Sequence, residues 1–307
     1  MSAATFARAY WVTARPYLCF VSGATGLVGL ALAPSLGTAA MLVAAAVFFS
    51  AYGLGQALTD VTQLDTDAIS APYRPMVRGL VRPRDVMLFS LLGLAACAVV
   101  LVALNPAIAL FAGLPVLGLA TYTPMKRRYW AGPAWNAWIV AMLPFLAALT
   151  GGRAARAVLA DTWSAMVTTF FAYSTFVLLG YLKDVEADRR TGYETLPVRF
   201  GRRWTVTVSF VCALAALATS LPTRAAPLAG VVFWTLGGVM LVLAHVRAWS
   251  VTTDAGAHPA ITMGLRGYVA LHLGEALVAR PGLLVVAVAM LAAFEIALAR
   301  RPSKEQV

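Results

Sequence analysis

Negative charge is scarce in this chain: 13 Asp and Glu stand among 307 residues, against 24 Lys and Arg. Cysteine and histidine are scarcer still, three of each, and none of them falls in a CxxC or Cys/His ligand spacing. That argues against a zinc or thiolate-metal centre. Cys19, Cys97 and Cys212 lie inside apolar runs and read as small buried hydrophobes, and His245, His258 and His272 as interface or loop residues. With 12% charged and 61% hydrophobic residues, the composition excludes an ordinary soluble domain. The net charge of +11 raises the question of nucleic acid, but basic nucleic-acid modules do not carry apolar runs of this length. No nucleic-acid partner is expected. No small-residue cleavage site follows the first apolar run, so we expect no removable signal peptide.

What the chain has in quantity is apolar runs of spanning length. A transmembrane helix needs about 20 mostly apolar residues, and nine candidates are found, roughly 15–35, 38–58, 85–104, 107–123, 132–150, 159–182, 204–222, 226–245 and 281–299. The expectation is an all-α, polytopic membrane protein, a single domain over residues 1–307, surrounded by lipid. With nine spans, eighteen of the 24 Lys and Arg fall on the side that holds the N-terminus. By the positive-inside rule that side is cytoplasmic, and the C-terminus is expected on the other. The stretch between Trp249 and Arg280 reads as a weakly amphipathic segment lying along the membrane surface. Arg82, Arg84, Arg202 and Arg203 read as topology or headgroup residues.

The few acids are not scattered. Asp60, Asp65, Asp67, Asp184, Glu186, Asp188 and Glu194 sit in two segments, Gln56–Arg82 and Lys183–Arg203, each acidic first and basic second. An ionised carboxylate in so apolar a chain is costly unless solvated, paired or bound to a cation, so the grouping points to a site. The segments follow the second and sixth spans, an internal repeat that predicts two similar four-helix halves facing a shared cavity. If the helix of span two continues, Gln56, Asp60, Gln63 and Asp67 share one face, as do Asp184 and Asp188 on theirs, with Asp65 and Glu186 off those faces. Facing carboxylates of this kind could bridge magnesium ions, which favour oxygen ligands and bind together with phosphates. Lys126, Arg127 and Arg128 add positive charge at the same level.

Taken together, DTDAISAPYRPMVRG, TYTPMKR and KDVEADRRTGYETLPVRFG resemble the UbiA superfamily of intramembrane prenyltransferases, with its NDxxDxxxD and DxxxD signatures after the second and sixth helices. The resemblance covers nearly the whole chain. It departs in the first signature, where Thr59 and Gln63 stand in place of the usual Asn and Asp, and Gln56 supplies an amide from one turn earlier. What the resemblance implies is magnesium held by Asp60, Asp67, Asp184 and Asp188, and an isoprenyl diphosphate bound with help from Arg74, Lys126, Arg127, Lys183, Gln56 and Gln63. Ionisation would leave an allylic cation guided by aromatic rings, Tyr122 and Tyr181 foremost, with Phe48, Phe49, Tyr52, Phe170, Phe171, Tyr173 and Phe176 as further candidates. The leading expectation is transfer of the prenyl group to an aromatic or lipid acceptor, on the cytoplasmic side of a bacterial inner membrane. The alternative is a terpene cyclase that closes the cation on itself. A secondary transporter is the distant third, because transporter carboxylates sit near the bilayer midplane on broken helices.

Overall fold

A computed structural model of the protein describes residues 2–33, 35–129 and 131–302. Its helices are α1 (Ala3–Ala14), α2 (Cys19–Ala31), α3 (Thr38–Val61), α4 (Leu64–Ser70), α5 (Pro83–Leu104), α6 (Gly113–Lys126), α7 (Ala131–Leu149), α8 (Ala155–Tyr181), α9 (Val185–Arg190), α10 (Leu196–Phe200), α11 (Arg202–Thr219), α12 (Leu228–Trp249), α13 (His258–Ala279) and α14 (Leu284–Ala299). Prolines mark several starts: Pro16, Pro83, Pro106 and Pro281 each open a helical segment, where a missing N–H costs nothing. The only strands among the described residues are β1 (Arg128–Tyr129) and β2 (Glu194–Thr195), a short parallel pair that ties the loop after α6 to the second acidic segment.

Seven helices are long and apolar enough to cross a membrane, and Pro16–Ala31 is a shorter apolar one. The two central ones, α7 and α8, are 67% and 56% buried within the bundle, while α5 is 17% buried and turns Leu92 and Val99 outward, as a lipid-facing helix does. Arg202–Thr219 and His258–Ala279 are of comparable length but less apolar.

The correction lies in α13. In place of a surface segment between Trp249 and Arg280, the structure has a 22-residue helix whose residues from Gly267 to Gly274 are all buried. Hydropathy misses it because Arg266, His272 and Glu275 dilute the apolar signal and because its glycines serve packing. A Cβ on Gly274 would lie 2.7 Å from Trp234 N, and one on Gly237 of α12 would lie 2.7 Å from Leu271 N. The two backbones meet through small residues spaced seven apart, the means by which helices associate closely in lipid.

With α13 crossing, α14 returns the chain to the end where it began. The Phe294 ring packs at a tilt against Phe20, with centroids 5.5 Å apart, Arg266 forms a two-pronged pair with Glu295 at 2.7 Å, and Pro302 lines a pocket with Thr5, Arg8 and Tyr73. Arg280 moves to the far end, where its guanidinium approaches Met41 Sδ at 3.7 Å, and Arg300 and Arg301 join the basic end. Lys304 lies outside the described residues. We therefore expect single cysteines at Ala154 and Gly282, in a background lacking Cys19, Cys97 and Cys212, to react with an impermeant thiol reagent from one side, and cysteines at Thr191 and Arg300 from the other. Labelling of Gly282 and Arg300 from the same side would show that α14 does not cross.

Candidate active site at one end of the bundle

The first acidic segment is not one continuous helix. α3 stops at Val61, where the Thr62 hydroxyl donates to Thr59 O at 2.9 Å and meets Thr123 Oγ1 at 2.6 Å, and α4 restarts at Leu64. The break leaves the expected face intact, since Gln56, Asp60, Gln63 and Asp67 all line one cavity of about 210 Å³. Facing them are Asp184 and Lys183 from beyond α8, Lys126 at the end of α6, and Arg74 from the loop after α4.

Charges in this cavity are matched with care. Asp60 is buried, and receives Arg15 Nη2 at 2.8 and 3.0 Å on its two oxygens and Gln56 Nε2 at 2.7 Å. Arg74 Nη1 lies 3.6 Å from Asp60 and pairs closely with Asp67. At the same place the Arg74 Nε donor is buried without a hydrogen bond. Burial lifts the Asp67 carboxyl to about 6; Arg74 and Arg15 oppose the lift and Asp60 adds to it. Burial works against the charge of Arg74, but Asp60, Asp67 and Asp184 outweigh it and hold the guanidinium above the ordinary arginine range. Asp184 goes the other way: burial raises it, yet Lys183, Lys126 and Arg74 together keep it below the usual carboxylate value. Lys183 is pushed down to about 8 by burial, against the pull of Asp184.

Arg15 is the residue that sequence reasoning counted only as a topology charge. It is 7% exposed, lines the cavity and takes φ 50°, ψ 71°, the only positive φ at a non-glycine among the described residues. Left-handed backbone at a residue with a Cβ is held only where its surroundings over-determine it. Here the Asp60 pair does so, and the following Pro16 bars the right-handed alternative.

Two expected site residues lie elsewhere. Asp188 is fully buried and does not line the cavity: it accepts from Lys126 Nζ at 3.3 Å and from Thr195 Oγ1 at 3.1 Å, with Tyr193 N on its backbone carbonyl at 2.8 Å. It pairs with Lys126, which does line the cavity. Arg127 is exposed, paired with Asp65 at 3.4 Å and packed over the Tyr193 ring, and it too is absent from the cavity wall.

Deeper in, the wall becomes apolar and aromatic. Tyr122 and Tyr181 hydroxyls meet at 3.2 Å, Tyr52 and Tyr173 at 2.9 Å, and Phe176, Val140, Leu143, Leu119 and Leu94 continue the lining. Asn136, unremarked in the sequence, lines the cavity with these tyrosines. Of the other aromatic candidates, Phe48 packs over Gly26 and Phe49 on Phe20, and neither they nor Phe170 and Phe171 reach the cavity. Charge at the mouth and rings below suit an amphiphile with an anionic head and an unsaturated chain.

Residues 22–273 match the model of the UbiA prenyltransferase family. The chain belongs to that family. Among similar curated proteins, the digeranylgeranylglyceryl phosphate synthase of Natronomonas pharaonis is 31% identical over 68% of this chain and 75% of its own length, and that of Halobacterium salinarum is 32% identical over 77% and 86%. Among solved structures, a UbiA homolog from Aeropyrum pernix K1 superposes with a TM-score of 0.72 at 19% identity, covering 83% of this chain and 96% of that one. A UbiA homolog from Archaeoglobus fulgidus bound to DMAPP and Mg2+ gives 0.58 at 16% identity, over 94% and 96%. These relatives are archaeal and lend no support to the expectation of a bacterial inner membrane. In this UbiA protein the oxygen-only donor set and the unbonded Arg74 Nε fit a hard cation and a polyanion side by side.

The different surroundings of the two second-segment aspartates give an expected contrast. Asp188→Ala removes one partner of a buried pair and leaves Lys126 uncompensated, a loss on the order of 3–5 kcal/mol, seen as a lower melting temperature of the detergent-purified protein. Asp184→Ala, with Lys183 on hand to relax toward its neutral form, is expected to unfold near the wild-type temperature.

Proposed function

We propose that this UbiA protein is a magnesium-dependent prenyltransferase that ionises an isoprenyl diphosphate and joins the prenyl chain to a glycerol-phosphate lipid. The observation that carries the reading is the juxtaposition of three cavity-facing carboxylates and four cations, Arg15, Arg74, Lys126 and Lys183, at the mouth of a tyrosine-walled chamber. The acceptor class rests on the curated relatives, whose named product is a glyceryl phosphate bearing two geranylgeranyl chains.

Asp60, Asp67 and Asp184 would hold the metal, with the Gln56 and Gln63 amides in reach of the same space. Among the described residues no three Asp, Glu, His or Cys groups form a closed metal cage, so substrate oxygens and water would complete the coordination, as magnesium prefers. Magnesium bound there would supply positive charge against the diphosphate oxygens. Arg15 and Arg74 pair with the same carboxylates, so their guanidinium groups would lie within reach of a diphosphate bound beside Asp60 and Asp67. Lys126, fixed by Asp188 and 5.5 Å from the centre of the Tyr181 ring, would stabilise the charge that gathers on the leaving oxygen. The allylic carbon–oxygen bond then breaks with its electron pair on the diphosphate. The Tyr122, Tyr181, Tyr52 and Tyr173 rings face the remaining cation and keep water off it until an acceptor hydroxyl attacks, its proton passing to the released diphosphate. We place this end of the bundle in the cytoplasm, since Arg8, Arg15, Arg74, Arg78, the 126–128 cluster, Arg189, Arg190, Arg300 and Arg301 all gather there.

Geranylgeranyl diphosphate, a geranylgeranylglyceryl phosphate acceptor and magnesium, supplied to the purified protein, are expected to give a doubly prenylated lipid with one diphosphate released per transfer. Chelator should stop the reaction, and Asp60→Ala or Asp184→Ala should slow it by about a hundredfold or more. Diphosphate release with a cyclic hydrocarbon and no need of acceptor would make the protein a cyclase instead. Absence of any diphosphate release would remove the enzyme reading.

A further inference from the structure

Lys183 and Asp184 both line the cavity, yet the backbone that carries them is poorly held by its own helix. α8 ends at Tyr181, and the next hydrogen bonds are long: Lys183 N to Gly180 O at 3.4 Å and Asp184 N to Tyr181 O at 3.3 Å. Asp184 then adopts a non-helical φ of −114° before α9 begins. Neighbouring residues of opposite charge on such a hinge can exchange places at the cavity mouth through a small backbone rotation. Something else must fix which one points where.

The loop between α12 and α13 supplies that constraint. Asp254 Oδ2 accepts the Glu186 backbone N–H at 3.0 Å, and its other oxygen pairs with Arg202 at the start of α11. Arg202 in turn donates through its second nitrogen to the Leu182 carbonyl. The pair thus grips the chain on both sides of Lys183–Asp184, one residue before it and two after. Both side chains are partly sheltered, at 18% and 29% exposure, so the link is not a solvent-washed surface bridge. Asp254 is itself braced, with Ala257 N on its carbonyl at 3.1 Å and Gly256 N on the Thr253 hydroxyl at 3.2 Å. Arg202 is therefore not the headgroup residue that its position beside Arg203 implies.

We propose that Asp254, acting through Arg202 and the Glu186 amide, is a positioning residue that sets Asp184 for the metal and Lys183 for the diphosphate. The inference rests on the function proposed above. It makes the second acidic segment depend on a loop about 70 residues away in sequence, and it assigns a role to a carboxylate outside both motifs.

The test is titration of the purified full-length protein with Mn2+ in the presence of inorganic diphosphate, followed by electron paramagnetic resonance, beside diphosphate-release kinetics and thermal unfolding. Loss of a partner that orients a metal ligand typically costs about 10–100-fold in metal affinity. Asp254→Ala is expected to weaken Mn2+ binding and raise the KM for the prenyl diphosphate within that range, while kcat at saturating metal stays close to wild type. Asp254→Asn keeps an acceptor for the Glu186 amide but loses the charge opposite Arg202, so it should fall between the two, and it carries the test if the alanine variant does not insert. Unchanged Mn2+ affinity and KM overturn the proposal. So does a drop in melting temperature and kcat with Mn2+ affinity intact, which is what a merely structural role predicts. Wild-type Mn2+ binding by Asp184→Ala would overturn the ligand assignment itself, and with it the positioning role.

Discussion

Carboxylates taken out of water must find positive charge, and the end of the bundle that holds the cavity is built around that requirement. Asp60 has Arg15 and Arg74, Asp67 has Arg74, Asp188 has Lys126, and Asp184 is held ionised by Lys183, Lys126 and Arg74. In a low-dielectric setting each of these pairs is expensive to break and of little net benefit to folding. Their value is preorganisation: the cations that balance these carboxylates are the ones a diphosphate would need, and the carboxylates are the ones a divalent cation would need. Binding exchanges partners within a set of charges already in place.

The rest of the fold serves that exchange. α3, α6 and α8 end at the same level, so the loops that leave them bring Asp67, Lys126 and Asp184 together. The parallel β1–β2 pair, with Glu194 N donating to Arg127 O at 2.9 Å, holds the loop after α6 against the second acidic segment, which keeps Lys126 and Asp188 in register. Below the charged mouth, hydroxyl pairs and rings replace ions, and the polarity of the chamber changes along its depth as the polarity of a prenyl diphosphate does.

Much of this was legible in the residues. Carboxylates at helical spacing in a chain so poor in acid marked Gln56, Asp60, Gln63, Asp67 and Asp184 correctly as lining one cavity, and the helix break at Thr62 did not disturb the shared face because α4 resumes within two residues. Asp188 shows the limit of that reasoning: two acids four apart share a helix face, but Asp184 precedes α9 with a different backbone, and it lines the cavity while Asp188 pairs with Lys126. Arg15 was hidden because its sequence context, a lone arginine before a proline, looks like any boundary charge; its role appears only when a left-handed backbone turns it onto Asp60. α13 was hidden by arithmetic, since glycines chosen for close packing and polar residues satisfied inside the bundle both lower hydropathy. Asp254 left no local signal, because its partners are distant in sequence.

The junction between α13 and α14 bears on how the chain is made. Between the two helices stand only Arg280 and the short turn Pro281–Leu283, and the ion pair that neutralises Arg266 comes from Glu295 on the following helix. As a nascent segment leaving the ribosome, α13 alone would carry an uncompensated cation into the hydrocarbon; α14 alone would carry an anion. Presented to the insertion machinery as one hairpin, the two enter with their charges cancelled. Integration of the α13–α14 hairpin would then be a single late event.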